Sequence, residues 1–584
     1  MLKNIFSKLI FLLGSMTLFS IVLTLAGVIF VSFKVQKIPE DSYLELFLEG
    51  PLEERATKNL QSFFKPPLTL HALIDTLNHA SRDARIRGIL VRLNQQSPIG
   101  LGHVQELRNA LKKLVSKVKH VVVHSDTFGE NSSGMSSYYL ASACQEIWLQ
   151  PLGSLNITGF GVEIPFLRKF LDEYGVKAHI LRREEYKTAM NFLTHEGLSP
   201  QNREDLENIL SLRLKQFIKD VAADRKLNQD QLEKYIHLAP IFNAQMAKEM
   251  KLVDHTGFIE ELYASLRAKA KPSLKFISIK QYASTLPKIK GNKKIAVIYA
   301  VGAIMRSSDG INPLSLESIA NAEEIRKAFE DALKDPHVKA IVFRIDSPGG
   351  SAIASDTIWG AVERAKAKGI PVIASMGNVA ASGGYMVALP AQKIVANPAT
   401  VTGSIGVYGG KLVTDSLRKK LKINWQGVKV GQKALMWESV KEYSTEELKS
   451  MNGSLDQIYE VFMQRVSKAR NIPLNEVHKI AQGHVWTGDE ALKKGLVDIL
   501  GDMEVAVNIA KQQAGFKEGE AVILEVFPRE LSLLGKLKLI LTGESLTLSV
   551  QGSLNSLLKS FVSSFKVFMG TCLYSSTASE FEGN

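Results

Sequence analysis

Apolar and polar positions divide this chain into an apolar start, a long body in which two periodicities alternate, and an amphipathic tail. Residues 9–33 carry no charge and lie between Lys8 and Lys34. As a helix this stretch would span roughly 37 Å at about 1.5 Å per residue, which is enough to cross a bilayer with some tilt. The pattern predicts an N-terminal transmembrane helix, with residues 1–41 forming the anchor and its linker.

A cleaved signal peptide is the alternative for this stretch. The apolar run is longer than the core of a typical signal peptide, and no A-x-A cleavage site follows it, which favours an uncleaved signal anchor. Lysines lie on both sides of the run, so the charge bias is weak. Because the segment before the run is short and begins with a free amine, we expect the N-terminus to stay in the cytoplasm and the large body to be exported.

Beyond the anchor, short apolar runs alternate with amphipathic helical patterns, which predicts an α/β fold with parallel strand pairing. The same order of patterns occurs twice along the chain. Three pairs of segments match in sequence and in order, namely 86–94 with 338–346, 138–151 with 385–398, and 242–254 with 486–498. We therefore predict a tandem duplication of one domain.

The duplication divides the body into two repeats. The first covers residues 42–287 and the second residues 291–515, with a lysine-rich segment between them. Residues 516–584 form a C-terminal extension that is partly amphipathic, since apolar side chains recur at helical spacing between Leu554 and Phe568. Such a stripe packs on the body, on a neighbouring subunit or on a membrane surface.

Composition excludes several classes of function. The chain has 584 residues and a formal charge of +13, but its lysines and arginines are scattered without interleaved aromatic residues. Membrane lipid is therefore a better candidate partner than nucleic acid. Two cysteines give neither a disulfide framework nor a CxxC metal site, and no metal or nucleotide cofactor is expected.

The stretch 372–387 contains the candidate nucleophile. An apolar strand pattern ends at Met376, a Gly377-Asn378 turn is predicted, and a helical pattern opens around Ser382. At a helix N-terminus the unpaired N–H groups and the helix dipole favour an alkoxide or an oxyanion. A serine at such a position is usually only a cap, so the position alone does not make Ser382 a nucleophile.

A pair of glycines supplies the second half of the argument. Gly349 and Gly350 follow the predicted strand 341–346, and consecutive glycines let backbone N–H groups approach a ligand closely. Two glycines after a proline are also an ordinary turn. Their occurrence one βαβ unit before Ser382 predicts an oxyanion hole formed by the N–H groups of Gly350 and Gly383.

The first repeat lacks these groups. Only Gly100 remains where the second repeat has two glycines, and Met135 occupies the position of Ser382. One active centre per chain is therefore expected, and it is built on the second repeat.

The nucleophile needs a base. None of the twelve histidines lies in a comparable strand-end or loop setting with an obvious acidic partner, and His337 and His484 resemble solvated turn residues. A lysine serves instead where burial keeps it neutral. Lys187 has apolar neighbours of that kind, and Lys433 is its counterpart in the second repeat.

Four motifs together carry a resemblance to a known family. They are Asp346-Ser-Pro-Gly-Gly350, Ala381-Ser-Gly-Gly-Tyr385, Thr402-Gly-Ser-Ile-Gly406 and His484-Val-Trp-Thr-Gly488. With the anchor and the duplication, the chain resembles the SppA family of signal peptide peptidases in its long, tandem form. This resemblance implies a tandem Clp protease/crotonase-like ββα-superhelix fold. It also implies a serine endopeptidase of the bacterial inner membrane, with its catalytic body on the periplasmic side, that degrades released signal peptides.

The resemblance also assigns roles to individual residues. Ser382 matches the nucleophile of a Ser-Lys dyad, and Lys187 matches the general base, which in the tandem form comes from the first repeat. Lys433 is a complication, because the second repeat keeps a lysine at the equivalent place. The resemblance further implies a homo-oligomer, a homotetramer in the tandem form, that acts on peptide substrates.

Two other functions remain as alternatives. One is a crotonase-type acyl-CoA enzyme, which shares the paired oxyanion donors but needs a pair of glutamates that the sequence does not place. The other is a membrane-anchored scaffold without activity. The survival of Ser382 and its glycines in one repeat only disfavours the scaffold.

Overall fold

The computed structural model describes the body of the chain. It covers residues 38–48, 50, 52–55, 68–94, 100–238, 242–270, 274–287, 291–306, 319–517 and 519–529. The predicted membrane span 9–33 and the amphipathic tail lie outside these ranges. Within them, no helix has the length and apolar character needed to cross a membrane.

The predicted α/β class is confirmed. In the described part of residues 42–287, the strands are β1 Ser42–Leu48, β2 Ile86–Leu93, β3 His120–Ser125, β4 Glu146–Leu149, β5 Ser154–Leu155, β6 Lys177–Arg183, β7 Phe242–Asn243, β8 His255–Thr256 and β9 Lys275–Ser278. The helices are α1 Leu70–Arg82, α2 Leu101–Ser116, α3 Met135–Ala141, α4 Arg168–Glu173, α5 Asn191–Thr194, α6 Pro200–Arg225, α7 Gln229–Leu238, α8 Ala244–Glu249, α9 Ile259–Lys269 and α10 Ile279–Thr285.

The described part of the chain from residue 291 onward repeats this arrangement. Its strands are β10 Lys294–Val301, β11 Ala303–Met305, β12 Ile319–Asn321, β13 Val338–Ser347, β14 Val372–Ala381, β15 Lys393–Ala396, β16 Val401–Gly403, β17 Val407–Val413, β18 Val485–Thr487, β19 Ile499–Leu500 and β20 Ile523–Phe527. Its helices are α11 Ala322–Lys334, α12 Ala352–Ala367, α13 Gly383–Ala388, α14 Asp415–Lys420, α15 Thr445–Arg470, α16 Leu474–Ile480, α17 Gly488–Lys493 and α18 Met503–Gln513.

Each half is built on its own sheet of mainly parallel strands. The first sheet has the order β8-β4-β3-β2-β1-β9, and the second has β18-β16-β14-β13-β10-β20, with β15 pairing to β14 and β19. The central strands are mainly buried because helices cover both faces of a parallel sheet, and all ten residues of β14 are buried. The second sheet includes β20, which lies beyond Gly515.

Equivalent side chains make equivalent contacts in the two halves. The hydroxyl of Tyr138 donates to the carbonyl of Leu252 at 2.7 Å, and that of Tyr385 donates to the carbonyl of Leu496 at 2.9 Å. Tyr138 lies three residues after Met135, and Tyr385 lies three residues after Ser382. The structure therefore places Met135 where the second half has Ser382.

The predicted turn at Gly377-Asn378 is wrong, because β14 continues through both residues to Ala381. The strand passes from pairing with β15 to pairing with β16, and its register with β13 shifts between Ile345 and Ser347. At this irregularity a side chain replaces the backbone acceptor, since Asp346 Oδ1 accepts from the N–H of Val379 at 2.9 Å.

The two halves also share a sheet. Strand β17 of the second half pairs antiparallel with β6 of the first, in a register from Val407 opposite Arg183 to Val413 opposite Lys177. The loop after β6, residues 184–190, is thereby carried to the second half. This pairing determines which first-half residues reach the end of β14.

Candidate active site

Ser382 lies at the junction between β14 and α13, directly before the first helical residue. Its φ of 54° and ψ of −119° are unusual for a residue with a side chain. Its N–H donates to the carbonyl of Gly403 at 2.8 Å, and the residue is partly exposed. Residues with such strained backbone angles cluster at active sites and ligand-binding sites, where the surrounding structure holds them in place.

The turn of residues 347–350, named the oxyanion turn for the role that the sequence predicts, packs directly against Ser382. Gly349 has a φ of 101°, and a Cβ there would lie 2.7 Å from the nitrogen of Gly383 and 2.9 Å from Cβ of Ser382. A Cβ on Gly383 would lie 3.3 Å from the nitrogen of Gly350. Glycine is therefore required at this contact, and the backbone nitrogens of Gly350 and Gly383 are neighbours beside the serine.

The structure brings Lys187 to Ser382 across the boundary between the halves. Lys187 Nζ lies 2.9 Å from Ser382 Oγ, although 195 residues separate them in sequence. It also lies 2.7 Å from the carbonyl oxygen and 2.9 Å from Oγ of Ser404. The side chain of Lys187 is 3% exposed.

These three contacts fit the three N–H bonds of an ammonium group, and they fit a neutral amine equally well. An uncharged lysine has two N–H bonds and one lone pair. Both N–H bonds are used when Nζ donates to the carbonyl and the hydroxyl of Ser404. The lone pair is then left for the hydroxyl proton of Ser382, so the geometry suits proton transfer from the serine to the lysine.

Burial makes this protonation state accessible. Removal of the ammonium group from water lowers the pKa of Lys187 to about 7, because the charged form loses its solvation. Burial is the only cause of the shift. At neutral pH a large fraction of Lys187 is therefore uncharged.

Two glycines form the slot for the aliphatic part of Lys187. A Cβ on Gly406 would lie 3.1 Å from Cδ of Lys187, and one on Gly483 would lie 2.3 Å from its backbone nitrogen. The N–H of Tyr186 donates to the carbonyl of Gln482 at 3.1 Å. Loops of the second half thus fix the residue that the first half supplies.

Lys433 does not join this site. It lies on an exposed part of the second half, where its Nζ contacts Ser450 Oγ at 2.5 Å. Met135, which occupies the position of Ser382 in the first half and which a base at Lys433 would have to serve, is fully buried. The first-half position therefore holds neither a nucleophile nor an exposed polar group.

Sequence reasoning missed Ser404, which accepts two hydrogen bonds from the base. The Thr402-Gly-Ser-Ile-Gly406 motif contains Ser404 and is the sequence feature that points to it.

The interpretation of His484 as a solvated turn residue is wrong. Its side chain is 12% exposed and its Nδ1 lies 2.7 Å from Oδ1 of Asp205, a partner 279 residues away in sequence. Its ring also stacks on that of Tyr186, with centroids 3.4 Å apart.

One cluster in the described part of the chain has the composition of a metal site. Glu54, His103 and Asp346 each offer one ligand atom, and these atoms lie within 4.8 Å of one another. Two ligands of one tetrahedral zinc ion lie roughly 3.3 Å apart, whereas Glu54 Oε1 is 2.7 Å from His103 Nε2. The same oxygen also binds Arg344 at 2.5 Å. The atoms as arranged therefore form ion pairs and do not fit an ion between them.

A family model matches the chain in both halves. The model of "Peptidase family S49" matches the chain twice, over residues 113–273 and 364–517. The two matches fall one in each half, as a duplication requires.

Individual relatives match from 41% to 84% of the chain. Protease 4 of Salmonella typhi is 33% identical over 77% of this chain and 73% of its own length. The chloroplastic serine protease SPPA of Arabidopsis thaliana is 30% identical over 84% of this chain and 72% of its own. A protein of Enterococcus faecium named for signal peptide peptidase SppA is 31% identical over 41% of this chain and 69% of its own.

Among solved structures, a mutant of ClpP1 from Listeria monocytogenes aligns with 35% of this chain and 91% of its own length. The TM-score is 0.23 and the sequence identity 15%. A similarity this weak does not support a conclusion about the fold.

Proposed function

The chain belongs to peptidase family S49, and on that premise we propose that Ser382 and Lys187 act together as the catalytic dyad of a serine endopeptidase. The distance of 2.9 Å between Lys187 Nζ and Ser382 Oγ is the observation that carries the proposal. A buried amine with a lowered pKa next to a serine hydroxyl is an arrangement that activates a nucleophile.

The reaction is acyl transfer in two steps. Neutral Lys187 takes the hydroxyl proton as Ser382 Oγ attacks the peptide carbonyl carbon, and the lysine then gives that proton to the leaving amine. The N–H groups of Gly350 and Gly383 donate to the oxyanion of each tetrahedral intermediate. Water then attacks the acyl-enzyme, with Lys187 again as base, and releases the acid and free Ser382.

We propose extended, apolar peptides as substrates, including signal peptides released from their precursors. The name of the Enterococcus faecium relative supports this substrate class. Family membership argues against the two alternatives, since the long relatives are proteases and neither an acyl-CoA enzyme nor a scaffold is among the functions their names give.

A serine-reactive phosphonate tests the nucleophile. We expect the detergent-solubilised full chain to be labelled at Ser382 alone and Ser382→Ala to lose both labelling and peptide turnover. Ser351→Ala is a matched control, because this serine caps a neighbouring helix through its contact with the N–H of Ala354 and touches no dyad atom. Labelling at another residue, or full turnover by Ser382→Ala, would contradict the proposal.

Residues 9–33 support a further proposal about location. Their lack of charge fits a single-pass anchor that holds the catalytic body on the periplasmic side of a bacterial inner membrane, in contact with membrane lipid. Fractionation of the full chain against a chain lacking residues 9–33 tests the anchor. Recovery of both chains in the soluble fraction would contradict it.

We also propose a homo-oligomer, a homotetramer by resemblance to the tandem family. The alignment that matches Lys187 with Lys433 also matches β6 with residues 423–429 and β17 with residues 161–167. In the described structure these two segments do not form strands, whereas β6 and β17 pair with each other. Head-to-tail copies could pair residues 161–167 of one chain with 423–429 of the next, which is a heterologous contact of the kind that closes rings.

Exposed apolar side chains support the same contact. Trp425 is 58% exposed and Val428 and Val430 are each 95% exposed, on or directly beside the segment that would pair with a second copy. Clustered apolar exposure of this kind is typical of an interaction surface.

A further inference from the structure

A buried cluster of charged side chains joins the two halves beneath the oxyanion turn. The dyad mechanism uses none of them. All are at most 6% exposed, and the cluster consists of Glu54, His103 and Glu106 from the first half with Arg344 and Asp346 from the second. Charged groups are buried at this depth only when they are paired.

Asp346 is the member that touches the active site. It directly precedes the oxyanion turn in sequence, and its Oδ1 accepts from the N–H of Val379 at 2.9 Å. Val379 lies three residues before Ser382 on the same strand. One carboxylate therefore links the start of the oxyanion turn to the strand that delivers the nucleophile.

His103 is the counter-ion that the first half presents to this carboxylate. Its Nε2 lies 3.3 Å from Asp346 Oδ2 and 2.7 Å from Glu54 Oε1. Burial lowers the pKa of His103, but the carboxylates of Glu54 and Asp346 outweigh it and raise the pKa to about 10. The imidazole is therefore a cation at neutral pH.

The other cation of the cluster, Arg344, is directed mainly at the two glutamates. Its guanidinium binds Glu54 through Nε at 2.9 Å and Glu106 through Nη2 at 2.8 Å. It also donates to the hydroxyl of Ser375. His103 adds the ion pair that joins the first half to Asp346.

Close packing fixes His103 at this place. The N–H of His103 donates to Asn378 Oδ1 at 3.1 Å, so helix α2 begins against strand β14. A Cβ on Gly100 would lie 2.3 Å from Asn378 Oδ1, and one on Gly102 would lie 2.9 Å from the carbonyl of Gly377. The start of α2 therefore cannot shift along β14 without a collision.

We propose that His103 is a positioning residue of the active site, which acts through Asp346 to hold the oxyanion turn at its distance from Ser382. The inference rests on the proposed peptidase function and adds a second contribution of the first half to the site. The first half supplies the base from one loop and the counter-ion under the oxyanion turn from one helix.

The physical consequence of losing His103 follows from charge burial. A buried carboxylate that loses a counter-ion recruits water or a proton, and either changes its hydrogen bond to Val379. The donors on the turn would then move relative to the oxyanion, which exists only in the transition state and the intermediates. Such a loss lowers kcat and leaves KM nearly unchanged.

The test compares His103→Gln with the double variant His103→Gln/Asp346→Asn, with kcat normalised to the sites that a phosphonate titrates. We expect His103→Gln to lower kcat about ten- to a hundredfold, which is less than the loss of an oxyanion donor itself. The double variant should regain most of this loss, because an amide needs no counter-ion and still accepts from Val379. His124→Gln is the matched control, since His124 is equally buried and its Nε2 lies 3.3 Å from the carbonyl oxygen of Gly257, a first-half group.

Two results would overturn the proposal. One is a kcat for His103→Gln within twofold of the parent value, and the other is a double variant that shows the product of two independent losses. If His103→Gln fails to fold, the single variant Asp346→Asn tests the role of His103. The new amide N–H would face the imidazole N–H of His103, and this contact should lower kcat. An unchanged kcat would then refute the role. Failure of the peptidase function is distinct, since the parent protein would then not be labelled at Ser382.

Discussion

At the scale of single residues, the site depends on the removal of water from one ammonium group. Lys187 acquires its low pKa from burial alone, without a neighbouring cation to repel its charge. Gly406 and Gly483 leave room for this buried lysine, since a Cβ on either would crowd Lys187. Lys433 has no such surroundings, since it is exposed and its Nζ contacts Ser450 Oγ.

The pH dependence of turnover follows from this shift. Because Lys187 must be neutral, kcat/KM should rise with pH through an apparent pKa of about 7 and fall roughly tenfold for each pH unit below it. A profile measured from pH 5 to 9 with an apolar peptide checks this. A profile that is flat across this range, or rises only near pH 10, would be inconsistent with Lys187 as the base.

His484 provides the control for that profile, because its ring stacks on that of Tyr186, the residue before Lys187. The His484→Gln variant should keep the rise near pH 7 whatever its effect on the plateau. Loss of the rise in this variant would contradict Lys187 as the titrating group.

The two residues of the proposed dyad could be selected from the sequence, but the groups around them could not. Ser382 and its glycines are adjacent in the chain, and Lys187 was identified through the repeat and the family motifs. The pairs His484–Asp205 and His103–Asp346 join residues more than 200 positions apart. No local pattern shows such contacts, because they form only when the two halves dock.

At the scale of elements, glycines set the distances between the turn, the helix and the base. The predicted turn at Gly377-Asn378 was wrong for a related reason. The glycine there serves close packing, since a Cβ on Gly377 would lie 3.0 Å from both Asp346 and Glu54 side-chain atoms. A glycine in a sequence signals a turn or a close approach, and only the packed structure separates the two.

The Gly483→Ala variant tests the slot for the base. Gly483 has a φ of 87°, and its new Cβ would lie 2.3 Å from the backbone nitrogen of Lys187. We expect kcat to fall at least a hundredfold, because a displacement of about 1 Å at a reacting group is enough for such a loss.

The matched control is Gly369→Ala, which also has a positive φ, 74°, but meets no atom within 4 Å. It carries the backbone strain without the collision, so its stability should fall by about 1 kcal/mol while kcat stays at the parent value. An equal loss of kcat in the two variants would show that backbone strain, and not the displacement of Lys187, causes the loss. Thermal unfolding and steady-state kinetics measure the two quantities.

At the scale of the whole molecule, the proposed mechanism divides the catalytic work between the two copies. The second half provides Ser382 and the oxyanion turn, while the first half has Met135 at the position of Ser382 and supplies Lys187. Strand pairing between β6 and β17 makes this division possible. The sequence predicted both the duplication and the division, but the strand pairing that joins the copies had no sequence signal.

The proposed contact between chains has its own test. Val428→Asp places a charge on the segment 423–429, and we expect it to dissociate the oligomer in sedimentation velocity of the detergent-solubilised protein. Val118→Asp is the control, because Val118 is 93% exposed on a turn far from that segment in sequence. A monomeric parent protein, or an unchanged mass for Val428→Asp, would contradict the ring.

The central claim is that one site is formed by both halves, and the two lysines of the repeat test it most directly. The measurement is kcat/KM for an apolar peptide with Lys187→Met and Lys433→Met, which remove the same group from equivalent positions of the two copies. The shared site predicts that Lys187→Met loses at least a thousandfold in kcat/KM while Lys433→Met stays within a few-fold of the parent. Loss of turnover in Lys433→Met with retention in Lys187→Met would contradict it.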